Sequence, residues 1–371
     1  MSFLRFNLSN GIMKALDEKG YTTPTPVQEQ AIPQIISGRD ILGTAQTGTG
    51  KTAAFCIPIL QRLSASRGNN GIRALILTPT RELAIQVSDN LKLYGKYLHI
   101  TSTVVYGGVS QFNQVKDLRK GVDVLVATPG RLLDLIQQRV ISLKGIEMLV
   151  LDEADRMLDM GFIHDVRRII KMMPPSRQNL LFSATMPGEV LTLVKEILTN
   201  PVRIAVELKT PRPSIAQSVY FVARESKRAL LKHVIVERAM QNVIVFARTK
   251  YGADKIARDL NKAGISAEAF HGDKSQQARQ RALSNFKGNA TRVLVATDIA
   301  ARGIDIADLP FVINYELPAS AETYTHRIGR TGRAGASGSA LSFCDNEERG
   351  QLKNINRIST VNLSIIEHPF A

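Results

Sequence analysis

The chain has 371 residues, 44% of them hydrophobic, a formal net charge of +15 at pH 7 and two cysteines. That length exceeds one ordinary core and makes two domains the expectation, no apolar stretch approaches the roughly 18–20 residues of a membrane-spanning helix, and Cys56 and Cys344 read as reduced thiols of a cytoplasmic protein. The positive excess is shared by both halves, which favours a polyanionic partner, nucleic acid above all, over a general solubility charge.

The chain begins with MSFLRFNLSNG, which lacks the long apolar core of a secretory signal. Residues 20–33, GYTTPTPVQEQAIP, set a proline framework before a helix. Tyr21 offers a ring to stack on a base, and the Gln28 amide offers a donor and an acceptor for adenine. Read alone, the same segment is also an ordinary Pro-rich turn before a helix. Ile41-Leu42 begin a strand that runs into AQTGTGKT, residues 45–52. Here Thr47, Gly48, Thr49 and Gly50 form a loop whose backbone N–H groups can turn onto phosphates, with a helix N-terminus behind them. Lys51 can reach the β- and γ-phosphates, and the Thr52 hydroxyl can ligate Mg²⁺. Ala45 stands where the general phosphate-loop pattern has its first glycine, so a plain glycine-rich turn stays open for this stretch alone.

Ala74–Leu77, Val122–Ala127, Met148–Leu151 and Asn179–Phe182 are apolar runs that predict buried strands. Val243–Phe246, Val293–Ala296 and Phe311–Asn314 do the same in the second half. Alternating with amphipathic segments, they predict parallel sheets covered by helices on both faces. The third run leads directly into Asp152-Glu153-Ala154-Asp155. Asp152 suits a Mg²⁺ ion, held directly or through water, and Glu153 suits the base that orients or deprotonates an attacking water. An acidic helix cap accounts for one of these carboxylates, not for three within four residues. Phosphate loop and acidic cluster together indicate a nucleotide hydrolase. The six histidines show no ligand spacing, so no zinc site is expected.

Residues 207–214, Glu-Leu-Lys-Thr-Pro-Arg-Pro-Ser, break the pattern, because Pro211 and Pro213 favour an extended connection. The predicted organisation is a first domain over 1–206, a linker over 207–214 and a second domain over 215–371, in the α/β class. Near the end, residues 326–333 pack several cations into one turn. They read either as a basic nucleic-acid patch or as groups that stabilise charge on a transferring phosphoryl.

In this order the residues resemble the DEAD-box RNA helicases, a superfamily-two group with two RecA-like lobes. The resemblance spans nearly the whole chain. It is carried further by Pro79-Thr80-Arg81-Glu82-Leu83, Gly107-Gly108, Thr128-Pro129-Gly130-Arg131, Ser183-Ala184-Thr185, Val245-Phe246-Ala247-Arg248-Thr249, Gln276 with Arg279, Ala296-Thr297-Asp298, Ala301-Arg302-Gly303-Ile304-Asp305 and His326-Arg327-Ile328-Gly329-Arg330-Thr331-Gly332-Arg333. Ala45 fits as well, since the family normally carries alanine there.

The resemblance implies two RecA-like domains, each a parallel sheet flanked by helices, and an ATP hydrolase with ATP and Mg²⁺ as cofactors. Gln28 would select adenine, with Tyr21 and Phe6 bordering the base, and Asp305 would bond the ribose. Arg330 and Arg333 would be arginine fingers. Asp155, Ser183, Thr185 and His326 would couple hydrolysis to lobe movement, and Asp155 separates the chain from DEAH-type relatives that translocate along strands. RNA would be held sequence-independently by Thr80, Arg81, Gly108, Thr128 and Arg131 in the first lobe, and by Arg248, Gly272, Gln276, Arg279 and Thr297 in the second. For any one of these arginines a structural ion pair is the competing assignment. The expected activity is RNA-stimulated ATP hydrolysis with local, non-processive unwinding of short duplexes by a monomer. An ATP-gated RNA clamp with little unwinding is the alternative that the same motifs serve. Residues 271–288, HGDKSQQARQRALSNFKG, look most like the bacterial RhlE-type branch.

Overall fold

A computed structural model describes residues 2–45, 48–66, 71–205, 215–301, 306, 309–332, 338–358 and 363–370. The chain divides into two compact units, Met1–Glu207 and Leu208–Ala371. The predicted linker 207–214 lies outside the described residues.

In the first unit, helices α1 (Asn10–Glu18) and α2 (Pro26–Ile36) precede strand β1 (Ile41–Thr44) and helix α3 (Lys51–Ala65). Then come β2 (Ala74–Leu77), α4 (Arg81–Tyr94), β3 (Ser102–Val105), α5 (Phe112–Arg119), β4 (Val124–Ala127) and α6 (Pro129–Gln137). The unit closes with β5 (Met148–Asp152), α7 (Ala154–Asp159), α8 (Ile163–Ile170), β6 (Gln178–Ser183), α9 (Gly188–Ile197) and β7 (Val202–Ala205). The strands form one seven-stranded sheet in the order β3-β4-β2-β5-β6-β1-β7. Every described pairing in it is parallel. Residues of β2, β4, β5 and β6 are buried throughout, as expected for strands covered on both faces. One face packs on α1–α4 through Ile12, Leu16, Ile32, Phe55 and Leu91. The other packs on α6–α9 through Leu132, Met157, Val166 and Leu193. Burying a side chain of this size contributes roughly 1.5–3 kcal/mol. Gly43 is required by close approach, since a Cβ there would run into the ring of Phe182, which itself packs on Phe55 at 5.5 Å.

The second unit runs through β8 (Ile215–Phe221), α10 (Lys227–Glu237), β9 (Val243–Phe246), α11 (Lys250–Lys262), β10 (Ala267–Phe270) and α12 (Gln276–Lys287). It continues with β11 (Val293–Ala296), α13 (Asp298–Ala301), β12 (Phe311–Asn314), α14 (Ala321–Ile328), β13 (Gly338–Cys344), α15 (Arg349–Ile358) and β14 (Ser364–Ile365). Its sheet order, β10-β11-β9-β12-β13-β8-β14, repeats that of the first unit strand for strand. The chain is therefore two copies of one α/β architecture, each a parallel sheet with flanking helices. Both cysteines are buried and free. No helix among the described residues is long and apolar enough to cross a membrane.

Register decides what the carboxyl edge of each sheet can hold. In the first unit Thr44 pairs with Ser183 and Asp152 with Phe182. The phosphate loop, the acidic cluster and the Ser-Ala-Thr segment therefore leave the sheet side by side, on strands about 4.8 Å apart. Val105 pairs with Ala127, and Ala127 with Leu77, so the segments at 78–81, 106–108 and 128–131 leave from the adjoining part of the same edge. In open α/β sheets this carboxyl edge is where ligands bind.

Candidate active site and nucleic-acid interface

The phosphate loop is held from below by the cap of α2. Thr25 and Gln28 form a capping box whose side chains continue into the loop: Thr25 Oγ1 donates to the Thr49 carbonyl at 2.8 Å, and Gln28 Nε2 donates to the Gly50 carbonyl at 3.2 Å. Gln28 Oε1 accepts from the Thr25 N–H at 3.0 Å. An amide keeps a second N–H and a second lone pair, so pairing with adenine remains possible from this position. Tyr21 is 38% exposed and lies 6.1 Å from the ring of Tyr94. Phe6 is buried against Phe3, a core position.

Gly48 and Gly50 both have positive φ, 84° and 90°. A Cβ on Gly50 would lie 2.5 Å from Gln28 Nε2 and 2.9 Å from Thr25 Oγ1. Gly50→Ala therefore has two costs, a left-handed backbone worth about 1–2 kcal/mol and displacement of Gln28. We expect ATP affinity to fall by about tenfold or more, since about 1.4 kcal/mol is a factor of ten. Titration with a fluorescent nucleotide measures it, and wild-type affinity would refute this account of the loop. Lys51 starts α3, is buried, and donates from Nζ to the Ala45 carbonyl at 2.7 Å. Thr52 follows on the first turn. Thr47 lies outside the described residues.

Asp152 ends β5 and is 3% exposed. Burial pushes its carboxyl up to about 7, while Lys51 opposes the shift and Glu153 adds to it. Its Oδ1 is buried with no hydrogen-bond partner. A buried oxygen of this kind suits a hard cation. Among the described residues no group of three or more His, Cys, Asp or Glu side chains could hold a metal by itself, so a Mg²⁺ here would take its further ligands from water and phosphate oxygens. Glu153 sits at φ 54°, ψ 54°, a left-handed conformation that a non-glycine residue adopts at a cost of about 1–3 kcal/mol and that clusters at functional sites. Its Oε2 accepts from Arg156 Nη1 at 2.7 Å, with both side chains buried.

Asp155 joins this cluster to the next strand. Its Oδ2 accepts from the Thr185 N–H at 2.8 Å and the Thr185 hydroxyl at 3.0 Å. Its own N–H donates to Ser183 Oγ at 3.1 Å, and that hydroxyl donates to the Thr185 carbonyl at 2.7 Å. Arg156 is a residue that the motif reading passed over. Its signal was present, a cation three positions after Glu153 on the same helical turn.

Along the first unit's edge, Gly108 has φ 76°, and a Cβ there would collide with the guanidinium of Arg81. The glycine backbone lies against that cation. Arg131 donates to the Val109 carbonyl at 3.0 Å and to Gln114 Oε1 at 3.2 Å. Gln114 in turn bonds the Tyr106 N–H and carbonyl at 3.2 and 3.1 Å. Thr80 caps α4 by accepting from the Leu83 N–H at 3.3 Å, and Thr128 occupies the capping position of α6. The structure thus gathers Arg81, Gly108 and Arg131 around one loop, with Gln114 as an unpredicted brace.

The second unit repeats the arrangement. Phe270, Ala296, Phe246 and Asn314 are in register, so Gly272, Thr297 and Arg248 follow neighbouring strand ends. The Arg248 N–H donates to Glu316 at 2.6 Å and its Nη2 to Glu348 at 2.9 Å. Gly272 is open, with Lys250 Cε 3.9 Å from the place of its missing Cβ. Gln276 and Arg279 are buried on α12, and the Arg279 guanidinium lies 4.9 Å over the ring of Phe270. Arg327 is fixed by Asp298 at 2.6 and 2.8 Å, by Asn314 at 3.1 Å and by the Glu316 carbonyl at 2.7 Å. His326 and the buried Arg330 stand on either side of it in sequence. Asp305 and Arg333 lie outside the described residues.

A DEAD/DEAH box helicase model matches residues 25–194, and a helicase conserved C-terminal domain model matches residues 226–335. The chain is 42% identical over 370 residues to the DEAD-box ATP-dependent RNA helicase CshA of Bacillus subtilis, covering 100% of this chain and 74% of that protein. The chain belongs to the DEAD-box family of ATP-dependent RNA helicases. The ATP-dependent RNA helicase CshA of Limosilactobacillus reuteri is 41% identical, again over 100% of this chain and 74% of the relative. A solved structure of S. cerevisiae Dbp5 bound to RNA and ADP BeF3 superposes with a TM-score of 0.83 at 30% identity, covering 98% of this helicase and 95% of that chain. These relatives carry the CshA name, not the RhlE name that residues 271–288 suggest. They place this helicase at the level of the family, with ATP as its nucleotide.

Proposed function

We propose that this helicase couples ATP hydrolysis to the gripping, bending and local separation of short RNA duplexes, as a cytoplasmic monomer and without long-range translocation. In this reading Gln28 and Tyr21 select adenine, the loop from Thr47 to Gly50 with Lys51 takes the phosphates, and Asp305 bonds the ribose. Thr52 and Asp152 would hold Mg²⁺, which supplies charge neutralisation on the phosphate oxygens when bound. Glu153 orients or deprotonates the attacking water. Arg330 and Arg333 stabilise charge on the γ-phosphate. RNA phosphates are taken by Thr80, Arg81, Gly108, Thr128 and Arg131 of the first domain, 1–206, and by Arg248, Gly272, Gln276, Arg279 and Thr297 of the second, 215–371. His326 joins Asp155, Ser183 and Thr185 in the coupling network. The RhlE-type branch remains a reading of residues 271–288 alone.

The observation that carries this reading is the bonding of Asp155 to Ser183 and Thr185. A change at the acidic cluster is transmitted through it to the segment that follows β6. ATP and RNA then each favour one conformational state, so each tightens the other's binding, as linkage requires. Steady-state ATP hydrolysis without nucleic acid, with single-stranded RNA and with the matching DNA tests it. Stimulation by RNA over DNA is expected, together with unwinding that fades as duplexes lengthen. Length-independent separation of long duplexes sinks the non-processive mechanism. RNA stimulation without any unwinding transfers the assignment to an ATP-gated clamp.

A further inference from the structure

The sequence shows no aromatic ladder for bases, yet the first unit presents an exposed aromatic close after the Gly107-Gly108 loop. Phe112 is 73% exposed, an unusual place for a large apolar ring. It opens α5, four residues after Gly108, and its N–H donates to Ser110 Oγ at 3.3 Å. Lys116 and Arg119 follow at spacings of four and three, which puts all three on one helical face, and all three are exposed. Neither cation has an ion pair among the described residues. The adjoining Asp117 is taken by Lys120 at 2.7 Å. That bond, with Lys120, Lys116 and Lys92 around it, holds the Asp117 carboxyl below its ordinary range. The outward face of α5 is therefore a cationic stripe with an aromatic at its head.

The stripe is joined by hydrogen bonds to the loop that carries Gly108. Gln114, on the inner side of α5, bonds Tyr106 and Arg131, and Gln111 and Gln138 exchange hydrogen bonds at 3.0 and 3.1 Å between the starts of α5 and the end of α6. Phe112 to Arg119 spans about 10 Å at 1.5 Å per residue, close to three base steps of about 3.4 Å.

We infer that the outer face of α5 is an additional binding site for single-stranded RNA, in which Phe112 stacks on a base and Lys116 and Arg119 neutralise the phosphates that follow. This rests on the RNA reading of the Gly108 and Arg131 loop and extends that track by about three nucleotides. Aromatic platforms beside cationic grooves bind bases without sequence preference, because every base has a π-face.

The test uses the full chain with a non-hydrolysable ATP analogue and a 12-nucleotide RNA carrying 2-aminopurine at successive positions. Phe112→Ala is expected to weaken RNA binding by about 5- to 150-fold, the range that loss of one stacked base produces, and to abolish quenching at one position. Phe112→Trp should retain both. The pair Lys116→Glu and Arg119→Glu should make the slope of log affinity against log salt shallower by about 1.4, since each single-strand phosphate contact contributes about 0.7. Because Phe112 is exposed, its removal empties no core, and thermal melting of each variant controls for folding. If wild type binds RNA and every variant binds it with unchanged affinity and salt slope, the α5 site is overturned and the RNA reading stands. That same result is what a stripe built for an acidic protein would produce. If wild type binds no RNA at all, the RNA reading fails and the α5 site with it.

Discussion

Glu153→Gln will slow single-turnover ATP hydrolysis by about 10²–10⁴-fold, the usual contribution of a positioned general base, while ATP and RNA stay bound. The substitution keeps the side chain's length and one oxygen that can accept from Arg156, but removes the basicity that the attacking water needs. Two features single out Glu153 over its neighbours. Asp155 has both carboxylate oxygens engaged, by the Arg156 N–H and by Thr185, which makes it the poorer base. Asp152 has a free buried oxygen that suits a cation. Glu153 is held in a strained left-handed conformation, and among the described residues only its Oε2 is engaged, by Arg156. The variant leaves Arg156 buried without its counter-charge, which costs stability, because hydrogen bonds to charged groups contribute roughly 1.5–3 kcal/mol. Melting temperature and nucleotide affinity must therefore be measured beside the rate. A folded, ATP-binding variant that hydrolyses at the wild-type rate removes Glu153 from the role of base.

How much was legible in the sequence follows from where the relevant partners lie. Strands β2, β5, β9, β11 and β12 were readable because both faces are covered and their runs are almost entirely apolar. Strand β4 begins at Val124, two residues after the predicted Val122, which lies in the connection before the strand. Strands β3, β7 and β10 escaped because they are partly exposed, with burial that alternates or is interrupted. Strands β8 and β13 escaped for a different reason. They carry polar residues inside the sheet, with Gln217 accepting from the Tyr324 hydroxyl at 2.9 Å and Ser342 accepting from Asn314 at 3.2 Å, and such pairings are invisible before the strands meet. The site divides in the same way. Lys51, Asp152, Glu153 and Arg330 sit in short contiguous motifs whose chemistry is local. The groups that brace the neighbouring loops and arginines do not. Thr25 reaches the phosphate loop across 24 residues, Gln114 braces Arg131 across 17, and Glu348 holds Arg248 across 100. Each is an ordinary polar residue until the fold supplies its partner.

The largest effect is expected at Arg330. The role proposed for it rests on charge that builds on the γ-phosphate oxygens during transfer, and an arginine supplied to that charge is worth about 10³–10⁵ in turnover. Arg330 is buried within its own unit at 5% exposure, and its backbone is fixed on both sides. Its N–H donates to the Arg327 carbonyl at 3.2 Å, its carbonyl accepts from Leu309 at 3.1 Å, and the Thr331 hydroxyl bonds the Leu309 carbonyl. Arg327, three residues earlier, is clamped to Asp298, Asn314 and Glu316. A donor carried on so constrained a turn needs little reorganisation when the transition state forms, which is the condition under which electrostatic stabilisation is strongest. Arg330→Ala should therefore lower RNA-stimulated kcat by about 10³–10⁵-fold and change nucleotide affinity by less than about tenfold, or about 1.4 kcal/mol. Arg330→Lys should rescue poorly, because a point charge does not reproduce the planar fork that grips two oxygens. Stopped-flow phosphate release with and without RNA separates the two quantities. If affinity and rate fall together, Arg330 binds the ground state. If neither moves, the finger assignment is wrong and residues 326–333 serve only as a basic patch.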